Sequence, residues 1–253
     1  DRSVSRGLGD VYKRQIQKGE VTKDKCKIGY VGAFPYAEVI SGFTSFYLGV
    51  KSVCDSATME VKYTNSWASF DLEKECAEQL IADGCVLISQ HADTTGAPTA
   101  CEAKKVPCVG YNIDMIPTAP DAALTSATIN WGPYYTYAVQ SVIEGTAIDT
   151  DWSKGVKDGA DAITELNDKT VAKGTKEKVE EAQKGIEDGT IHVFDTSKFT
   201  VGGKTLEELV ESGDEDATKL QSYIKDGYFH ESDVAGGMTS APAFTFIIDG
   251  IDS

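Results

Sequence analysis

Residues 27–36 read KIGYVGAFPY, a short apolar run that stops at a proline. Three similar runs follow, VKYT at 61–64, VLIS at 86–89 and VGY at 109–111. Segments of helical length separate the four runs. Short apolar runs that alternate with helical segments predict parallel strands joined by crossover helices. The stretch 27–131 therefore predicts an α/β fold with a doubly wound parallel sheet.

The connecting segments support this interpretation. Apolar residues within 36–53 recur at helical spacing and form one wide stripe. A second helix is predicted to begin at Ser69 or Asp71 and to stop at Gly84, and a third to run over 96–105. The remaining predicted elements are a strand at 124–129, a helix at 134–144, an edge strand and turn at 156–166, a helix at 176–187, a hairpin formed by 191–194 and 199–201, a helix at 206–210, and a strand at 244–248.

Chemically distinctive side chains stand where the predicted strands end. In chain order these residues are Trp67, His91, Asp93, Thr94, Asn112 and Asp114. In an open parallel sheet, ligands bind beyond the carboxyl ends of the strands. The strand ends therefore predict one ligand-binding rim.

Each candidate also has a purely structural interpretation. Trp67 either stacks on a ligand ring or covers the sheet edge. Asp93 caps the following helix, accepts a hydrogen bond from a ligand, or does both. Asn112 and Asp114 share a face if the fourth strand continues that far, and otherwise form an Asx turn. His91 fits a structural hydrogen-bonding role better than a catalytic one.

Composition narrows the classes of function. The net charge of −16 argues against binding nucleic acid or an anionic membrane surface through bulk charge. No apolar run reaches the ~18 residues of a transmembrane helix. The sequence contains no GxSxG, Walker, GxGxxG or HExxH motif, so we predict neither a catalytic residue nor a cofactor.

The cysteines give no metal-binding pattern. The sequence has no CxxC pair and no Cys/His cluster with zinc spacing, so no metal site is predicted. Buried thiols and disulfides both remain open, and Cys26 with Cys54 is the pair to check first in an exported protein. The six cysteines all lie in the first half of the chain: Cys26, Cys54, Cys76, Cys85, Cys101 and Cys108.

The first fifteen residues, DRSVSRGLGDVYKRQ, carry four basic side chains and lack an initiator Met and an apolar periodicity. They resemble a translated sequencing adaptor and are excluded from fold reasoning, although an ordinary basic segment is the alternative. Residues 16–26 are predicted to be a linker. If the leader is not native, the native sequence is truncated before about Ile16, and the lack of a signal peptide says nothing about localisation.

Four segments in this order carry a family resemblance. They are KIGYVGAFPYAEVISGFTSFYLGVKSV (27–53), EVKYTNSWASFD (60–71), LIADGCVLISQHADTTGAPTACEAKKVPCVGYNIDM (80–115) and LTSATINWGPYY (124–135). Over about 25–194 the chain resembles the basic membrane protein (BMP) family, substrate-binding lipoproteins of ABC importers related to purine nucleoside receptors. The resemblance implies a type I periplasmic-binding fold, in which two Rossmann-like lobes close on a ligand.

The resemblance also implies a domain organisation in which this chain is mainly the second lobe. A first lobe of roughly 100 residues would lie upstream. The implied parts are the ligand-binding lobe (27–131), a crossover helix that belongs to the absent first lobe (132–150), a return edge strand, helix and hairpin (151–203), and an acidic C-terminal extension (204–253).

Family site residues map onto several rim positions. Trp67 matches the aromatic residue that stacks on the purine, and Asp93 with Thr94 matches a small Gly-rich segment at the third strand end. Asn112 stands where nucleoside receptors carry an Asp that binds ribose hydroxyls, and Ile129-Asn130-Trp131 stands where they carry a basic residue. These departures leave two kinds of ligand open: a nucleoside, or a free base or other heterocycle bound by Asn130 and Trp131. Phe34, at the first strand end, is expected to line the mouth of the site.

The resemblance implies a non-enzymatic protein that delivers a purine nucleoside or nucleobase to an ABC permease. The base would stack on Trp67, while Asp93, Asn112 and Asp114 would bind its polar edge before lobe closure. The expected location is extracytoplasmic, with membrane contact only through a lipid anchor upstream. Two alternatives remain open: a ligand-sensing transcription regulator of the same fold, and a small α/β enzyme that acts on a nucleoside.

Overall fold

The computed structural model describes residues 26–231 and 241–253, and the backbone alone at 233–234 and 237–238. Within this range the central sheet has the spatial order β11-β2-β1-β3-β4-β5-β6. All neighbouring strands are parallel except β5 and β6, so the predicted doubly wound sheet is confirmed. The strands of the sheet are β1 Lys27–Gly32, β2 Thr58–Tyr63, β3 Ile88–His91, β4 Cys108–Tyr111, β5 Ala123–Ile129, β6 Asp161–Ile163 and β11 Ile251–Asp252.

The first six helices agree with the sequence-based prediction to within a few residues at each end, and the seventh, at 215–219, was not predicted. They are α1 Ala37–Lys51, α2 Phe70–Ala82, α3 Gly96–Lys104, α4 Gly132–Glu144, α5 Thr175–Glu187, α6 Leu206–Glu211 and α7 Glu215–Lys219. Short 3-10 turns occur at Val156–Asp158, Thr196–Lys198 and Gln221–Tyr223. Two small hairpins complete the elements, β7 Ile224–Lys225 with β8 Tyr228–Phe229, and β9 Asp233–Val234 with β10 Gly237–Met238.

Hydrophobic cores lie on both faces of the sheet. The stripe of α1, which includes the fully buried Phe43 and Tyr47, packs on one face. Leu80 of α2 and Ala100 of α3 belong to a second buried cluster on the other face. Full burial of one such large apolar side chain contributes about 1.5–3 kcal/mol. The apolar periodicity that predicted α1 is therefore a core stripe.

The strand order reverses between β1 and β3. The chain runs from β1 outward to β2 and then returns past β1 to β3, with α1 and α2 on opposite faces. Gly32 pairs with His91 at this point, and the N–H of Ala33 donates to the His91 carbonyl at 3.0 Å. Loops that diverge to opposite faces at such a reversal leave a crevice beyond the strand ends.

The predicted hairpin formed by 191–194 and 199–201 is wrong. The carboxylate of Asp195 accepts from the N–H of Ser197 at 3.0 Å and starts a 3-10 turn. The backbone of Asp195 bridges to Tyr228, so the two runs do not pair with each other. Phe194 and Phe199 are buried against the α1 core. Their apolar character reflects core packing and not strand pairing.

The predicted strand at 244–248 is also wrong, although its alternating pattern has a physical basis. Phe244, Phe246 and Ile248 are buried, whereas Thr245 between them is exposed. The chain inserts alternate side chains into the core without joining a strand ladder there. The ladder forms a few residues later, where Ile251 of β11 pairs with Met59 of β2.

The segment predicted as an acidic C-terminal extension takes part in the core of the lobe. Leu206 and Phe229 are buried in the same cluster as α1. Phe244 stacks on Phe194 with 4.5 Å between ring centroids. Acidic side chains on the surface of this segment therefore cover an apolar interior. The predicted leader and all but the last residue of the predicted linker lie outside the described residues.

The six cysteines, all within the described residues, form no disulfide in this structure. Cys26 and Cys54 are both buried in the α1 core and are not joined. Cys108 and burial together raise the pKa of the Cys101 thiol well above its usual value, and the sequence did not suggest this pair. Burial raises the pKa of the Cys85 thiol to about 12, so this group stays protonated at neutral pH.

Asp249 ties the C-terminal segment to the loop at 200–203. Its carboxylate accepts hydrogen bonds from the Thr200 hydroxyl, from the N–H of Gly202 at 2.9 Å and from the N–H of Gly203 at 2.8 Å. These hydrogen bonds hold the pKa of Asp249 below its usual value. Both glycines have positive φ, at 58° and 80°, which lets their N–H groups converge on one carboxylate.

We predict that Asp249→Asn lowers the melting temperature at pH 7, by roughly 2–4 °C. A carboxyl group with a depressed folded pKa stabilises the protein above its unfolded pKa and loses that effect as the pH falls through the folded value. The difference between wild type and variant should therefore shrink below about pH 4. Thermal unfolding followed by circular dichroism from pH 7 to pH 3 measures it, and a difference independent of pH would contradict this role.

Candidate functional site

Five aromatic side chains lie along the carboxyl ends of β1 to β4. We call Phe34, Tyr36, Trp67, His91 and Tyr111 the aromatic rim. The rings of Phe34 and Tyr36 are stacked, with centroids 5.1 Å apart, and Phe34 lies 5.5 Å from Trp67. Trp67 lies 6.2 Å from His91, and His91 lies 4.2 Å from Tyr111. The rings form one continuous row across the reversal of strand order.

Trp67 has the geometry of a stacking platform. Its interplanar angles are 56° with Phe34, 44° with Tyr36 and 62° with His91. None of these three neighbours lies parallel to the indole, so none is stacked face to face on it. The side chain is half-buried, which holds it in place. A fixed indole that is not already stacked on these rings is a side chain of the type that stacks on planar ligands.

His91 is part of the scaffold of the rim. The side chain is 2% exposed, and its Nε2 lies 3.5 Å from a carboxylate oxygen of Glu38. It also packs on Gly42 of α1, where a Cβ atom would come within 2.9 Å of Nδ1. A buried ring held between α1 and the strand ends supports neighbouring rings and is poorly placed to reach solvent.

The structure places Asp93 directly beside Trp67. The N–H of Asp93 donates to the Trp67 carbonyl at 2.8 Å, which joins the loops that follow β2 and β3. The interpretation of Asp93 as a helix cap is wrong, because Thr95 occupies the cap position of α3 and no side chain caps it. The Thr94 hydroxyl accepts instead from the N–H of Gly96 at 3.1 Å. The Asp93 side chain is exposed.

A buried carboxylate organises these two loops. Glu73 accepts from the N–H of Thr94 at 3.2 Å and from the N–H of Ser69 at 3.3 Å. Burial raises its pKa. Ser69 is the cap residue of α2 but makes no side-chain cap bond, and Asp71 lies inside the helix. Glu73 therefore links the start of α2 to the loop that carries Asp93.

Asn112 and Asp114 do not share a strand face, because the fourth strand does not continue that far. β4 ends at Tyr111, and Asn112 turns away with φ at +71°. Its backbone N–H donates to the Ala127 carbonyl at 2.7 Å. Asp114 accepts from the N–H of Ile116 at 2.9 Å, which is an Asx turn. The structural alternative is thus the correct one for Asp114.

Asn130 and Trp131 lie at a pocket of about 390 Å³ beyond the end of β5, which we call the β5-end pocket. The amide of Asn130 donates to the Gly159 carbonyl at 2.9 Å and accepts from the N–H of Gly132 at 3.0 Å. Trp131 is 54% exposed. The pocket is lined by Ile129, Asn130, Trp131, Tyr134, Asp149, Thr150, Trp152, Ser153, Lys154, Ala160, Asp161, Glu231, Ala241 and Pro242.

Sequence reasoning missed several residues of this edge. Tyr36 stands two residues beyond Phe34, and Tyr111 is the last residue of β4, so a wider window around each strand end would have included both. Trp152 lies in a loop without periodicity, and Glu231 lies in the C-terminal segment, far from the strand ends in sequence. No local sequence signal marks these last two residues.

Among the described residues, no group of three or more His, Cys, Asp or Glu side chains is placed to hold a metal ion. Over the same residues, no helix combines the length and the apolar character needed to cross a membrane.

The aromatic rim at the reversal of strand order is the kind of edge on which open α/β folds bind small molecules. Residues 20–195 match the model of a protein family, the PnrA-like substrate-binding proteins of ABC transporters. The chain belongs to this family. PnrA-like proteins are substrate-binding proteins and not enzymes, and the resemblance found in the sequence is confirmed.

Two curated relatives of this PnrA-like chain are a purine-binding protein of Brucella abortus and a putative ABC transporter glucose-binding protein of Haloferax volcanii. The first is 32% identical over 66% of this chain and 47% of its own length. The second is 29% identical over 78% of this chain and 51% of its own length. The chain thus spans about half the length of the curated relatives it matches.

Solved structures share the type I periplasmic-binding fold. A solute-binding protein of an ABC transporter system from Aeropyrum pernix has a TM-score of 0.62 at 18% identity, covering 86% of this chain and 70% of its own. A transcriptional activator of the comK gene from Bacillus halodurans has a TM-score of 0.61 at 18% identity, covering 76% of this chain and 64% of its own. At these identities the likeness concerns the fold alone.

We predict that Gly96→Ala destabilises the protein by about 1–3 kcal/mol, the usual cost of overpacking. A Cβ at this first residue of α3 would lie 2.3 Å from the Phe70 carbonyl oxygen and 3.0 Å from the Lys74 nitrogen, both backbone atoms. Urea unfolding measures the change. Gly132→Ala is the matched control at the first residue of α4, because a Cβ there would meet only the Asn130 side chain. Equal unfolding free energies for both variants would contradict close packing at Gly96.

Proposed function

We propose that this chain is the ligand-binding lobe of an extracytoplasmic substrate-binding protein that delivers a purine nucleoside or free purine base to an ABC permease. Trp67 carries the proposal, because its indole stands at the edge where this fold binds ligands and no neighbouring ring is stacked parallel to it. Membership of the PnrA-like family supports it. So does the relative named as a purine-binding protein.

In this proposal the purine ring stacks on Trp67 and its polar edge meets acceptor groups. Stacking of one base on an aromatic side chain contributes about 1–3 kcal/mol. The exposed carboxylate of Asp93 accepts from ring or amino N–H groups, and the exposed amide of Asn112 can donate or accept. Phe34 and Tyr36 close one side of the platform.

The other predicted ligand residues divide into two groups. Thr94 and Asp114 hold their own loops through hydrogen bonds, and Asn130 links two parts of the backbone beside the β5-end pocket. We propose that these three residues position the rim and do not bind the ligand directly. Trp131 remains a ligand residue in this proposal because its indole is exposed at the pocket.

A sugar is the second candidate ligand. The relative from Haloferax volcanii is named a putative glucose-binding protein, and aromatic rims also hold sugar rings. Asn112 replaces the Asp that nucleoside receptors use for ribose, which favours a free base over a nucleoside.

Calorimetric titration with adenine, adenosine and glucose separates these candidates, and binding of glucose alone would contradict the purine assignment.

Helix α4 supports the proposal that a first lobe precedes this chain. Tyr135, Val139, Val142 and Ile143 lie on one face of the helix and are 58–73% exposed. We propose that this face packs on the first lobe and that a lipid anchor lies still further upstream.

The genomic sequence before the codon for Ile16 tests this proposal. A further α/β domain after a signal sequence with a cysteine supports it, and a start codon directly upstream contradicts it.

We predict that Trp67→Ala weakens purine binding about 5- to 160-fold, because loss of stacking removes about 1–3 kcal/mol. Trp67→Phe is the matched control, because it keeps an aromatic face at the same position and should retain most of the affinity. Isothermal titration calorimetry with adenine and adenosine measures both variants against wild type. Unchanged affinity in a folded Trp67→Ala protein would place the ligand elsewhere.

A further inference from the structure

The loop that carries Trp67 is held by hydrogen bonds to its backbone on both sides of the indole. Before it, the buried Thr64 hydroxyl donates to the Ser66 carbonyl at 2.7 Å. At the indole residue itself, the Trp67 carbonyl accepts from the N–H of Asp93 at 2.8 Å. After it, the N–H of Ser69 donates to a carboxyl oxygen at 3.3 Å. Each of these bonds is made within two residues of Trp67.

Glu73 supplies that carboxyl group and also holds the neighbouring loop. Its Oε1 accepts from the N–H of Ser69, two residues after Trp67. Its Oε2 accepts from the N–H of Thr94 at 3.2 Å, one residue after Asp93. The two oxygens therefore join the same two loops that the hydrogen bond from Asp93 to Trp67 joins directly.

Close packing of α2 on α3 encloses this carboxyl group. Glu73 is 0% exposed. At Gly96, the first residue of α3, a Cβ atom would lie 3.0 Å from the Glu73 Cβ and 2.3 Å from the Phe70 carbonyl oxygen. Burial raises the pKa of Glu73, and its hydrogen bonds to Thr94 and Ser69 lower it in part. Because the buried group is shielded from solvent, water does not replace an N–H partner that is lost.

We propose that Glu73 is a positioning residue that acts on ligand binding through Trp67 and does not touch the ligand. It fixes the loops after β2 and β3 to each other, so the indole is held in its stacking orientation before the ligand arrives. A binding group that is ordered in advance costs less to order on binding. The inference rests on the proposed purine function and deepens it, because it names what holds the stacking platform in place.

Glu73→Gln tests the proposal by calorimetric titration of the whole chain with adenine. The amide keeps the length of the side chain but turns one acceptor into a donor, so one of the two backbone N–H groups faces another donor. Adenine binding should weaken about two- to tenfold, the lower part of the range over which members of one hydrogen-bond network couple. In a Trp67→Ala background the same substitution should cause no further loss, because Glu73 acts through the indole.

The motion of the indole gives a test that needs no ligand. The chain has three tryptophans, so Trp131→Phe with Trp152→Phe leaves Trp67 as the only one. Time-resolved fluorescence anisotropy of this protein reports the motion of the Trp67 ring. The amplitude of fast ring motion should be larger in Glu73→Gln than with Glu73 intact.

Asp249→Asn is the matched control. It also exchanges for an amide a carboxylate that accepts from two backbone N–H groups, those of Gly202 and Gly203. Asp249 lies beside Lys51, the last residue of α1, whereas the rim lies at the first turn of that helix. This variant should lose stability but keep the adenine affinity and the indole motion of the protein with Asp249 intact. The comparison separates loss of stability from loss of position.

A melting curve shows whether Glu73→Gln folds. If it does not, Glu73→Asp takes its place with the same expected results, because a side chain shorter by one methylene draws the carboxylate away from the two N–H groups. Unchanged affinity, unchanged indole motion, or an equal loss of affinity in the Trp67→Ala background each overturns this inference alone. Failure of wild type to bind adenine overturns the free-base assignment, and the indole motion then decides whether Glu73 positions Trp67.

Discussion

The pairing of β1 with β3, on the opposite side of β1 from β2, is the constraint on which the rest of the lobe depends. It sends α1 and α2 to opposite faces of the sheet and leaves the loops after β1 and β3 diverging above their strand ends. Gly32 and His91 are paired at this point. Phe34 and Trp67 then emerge beside it, so strand order alone fixes where the aromatic platform stands.

The C-terminal segment is a second structural determinant. Its aromatic side chains complete the core over α1, and β11 extends the sheet beside β2. The same segment carries Glu231 to the β5-end pocket, where Ser41 of α1 holds it. Packing against α1 therefore stabilises the segment that brings Glu231 to this pocket.

Much of the lobe was predictable from sequence, because its strands and helices carry strong local signals. The apolar runs at 27–32, 61–64, 86–89 and 109–111 predicted the strands of the sheet, and Trp67 and Asp93 follow the second and third runs. These signals are local, since they depend only on periodicity and on where a strand stops.

The errors occurred where tertiary contacts decide the outcome. The alternation over 244–248 is typical of a strand, but those residues insert into a core formed by distant elements and find no strand partner. Asn112 adopts a positive φ that ends β4, which the identity of Asn permits but does not require. Trp152 and Glu231 meet at one pocket only because the chain folds back on itself.

A crystal structure of the protein with bound adenosine would test the central claim most directly, namely that the edge beyond β1 to β4 is a stacking site. The predicted result is a purine ring parallel to the Trp67 indole at van der Waals distance, about 3.5 Å, with Asp93 beside its polar edge. A purine ring bound away from Trp67, with the indole face left open to solvent, would contradict the claim.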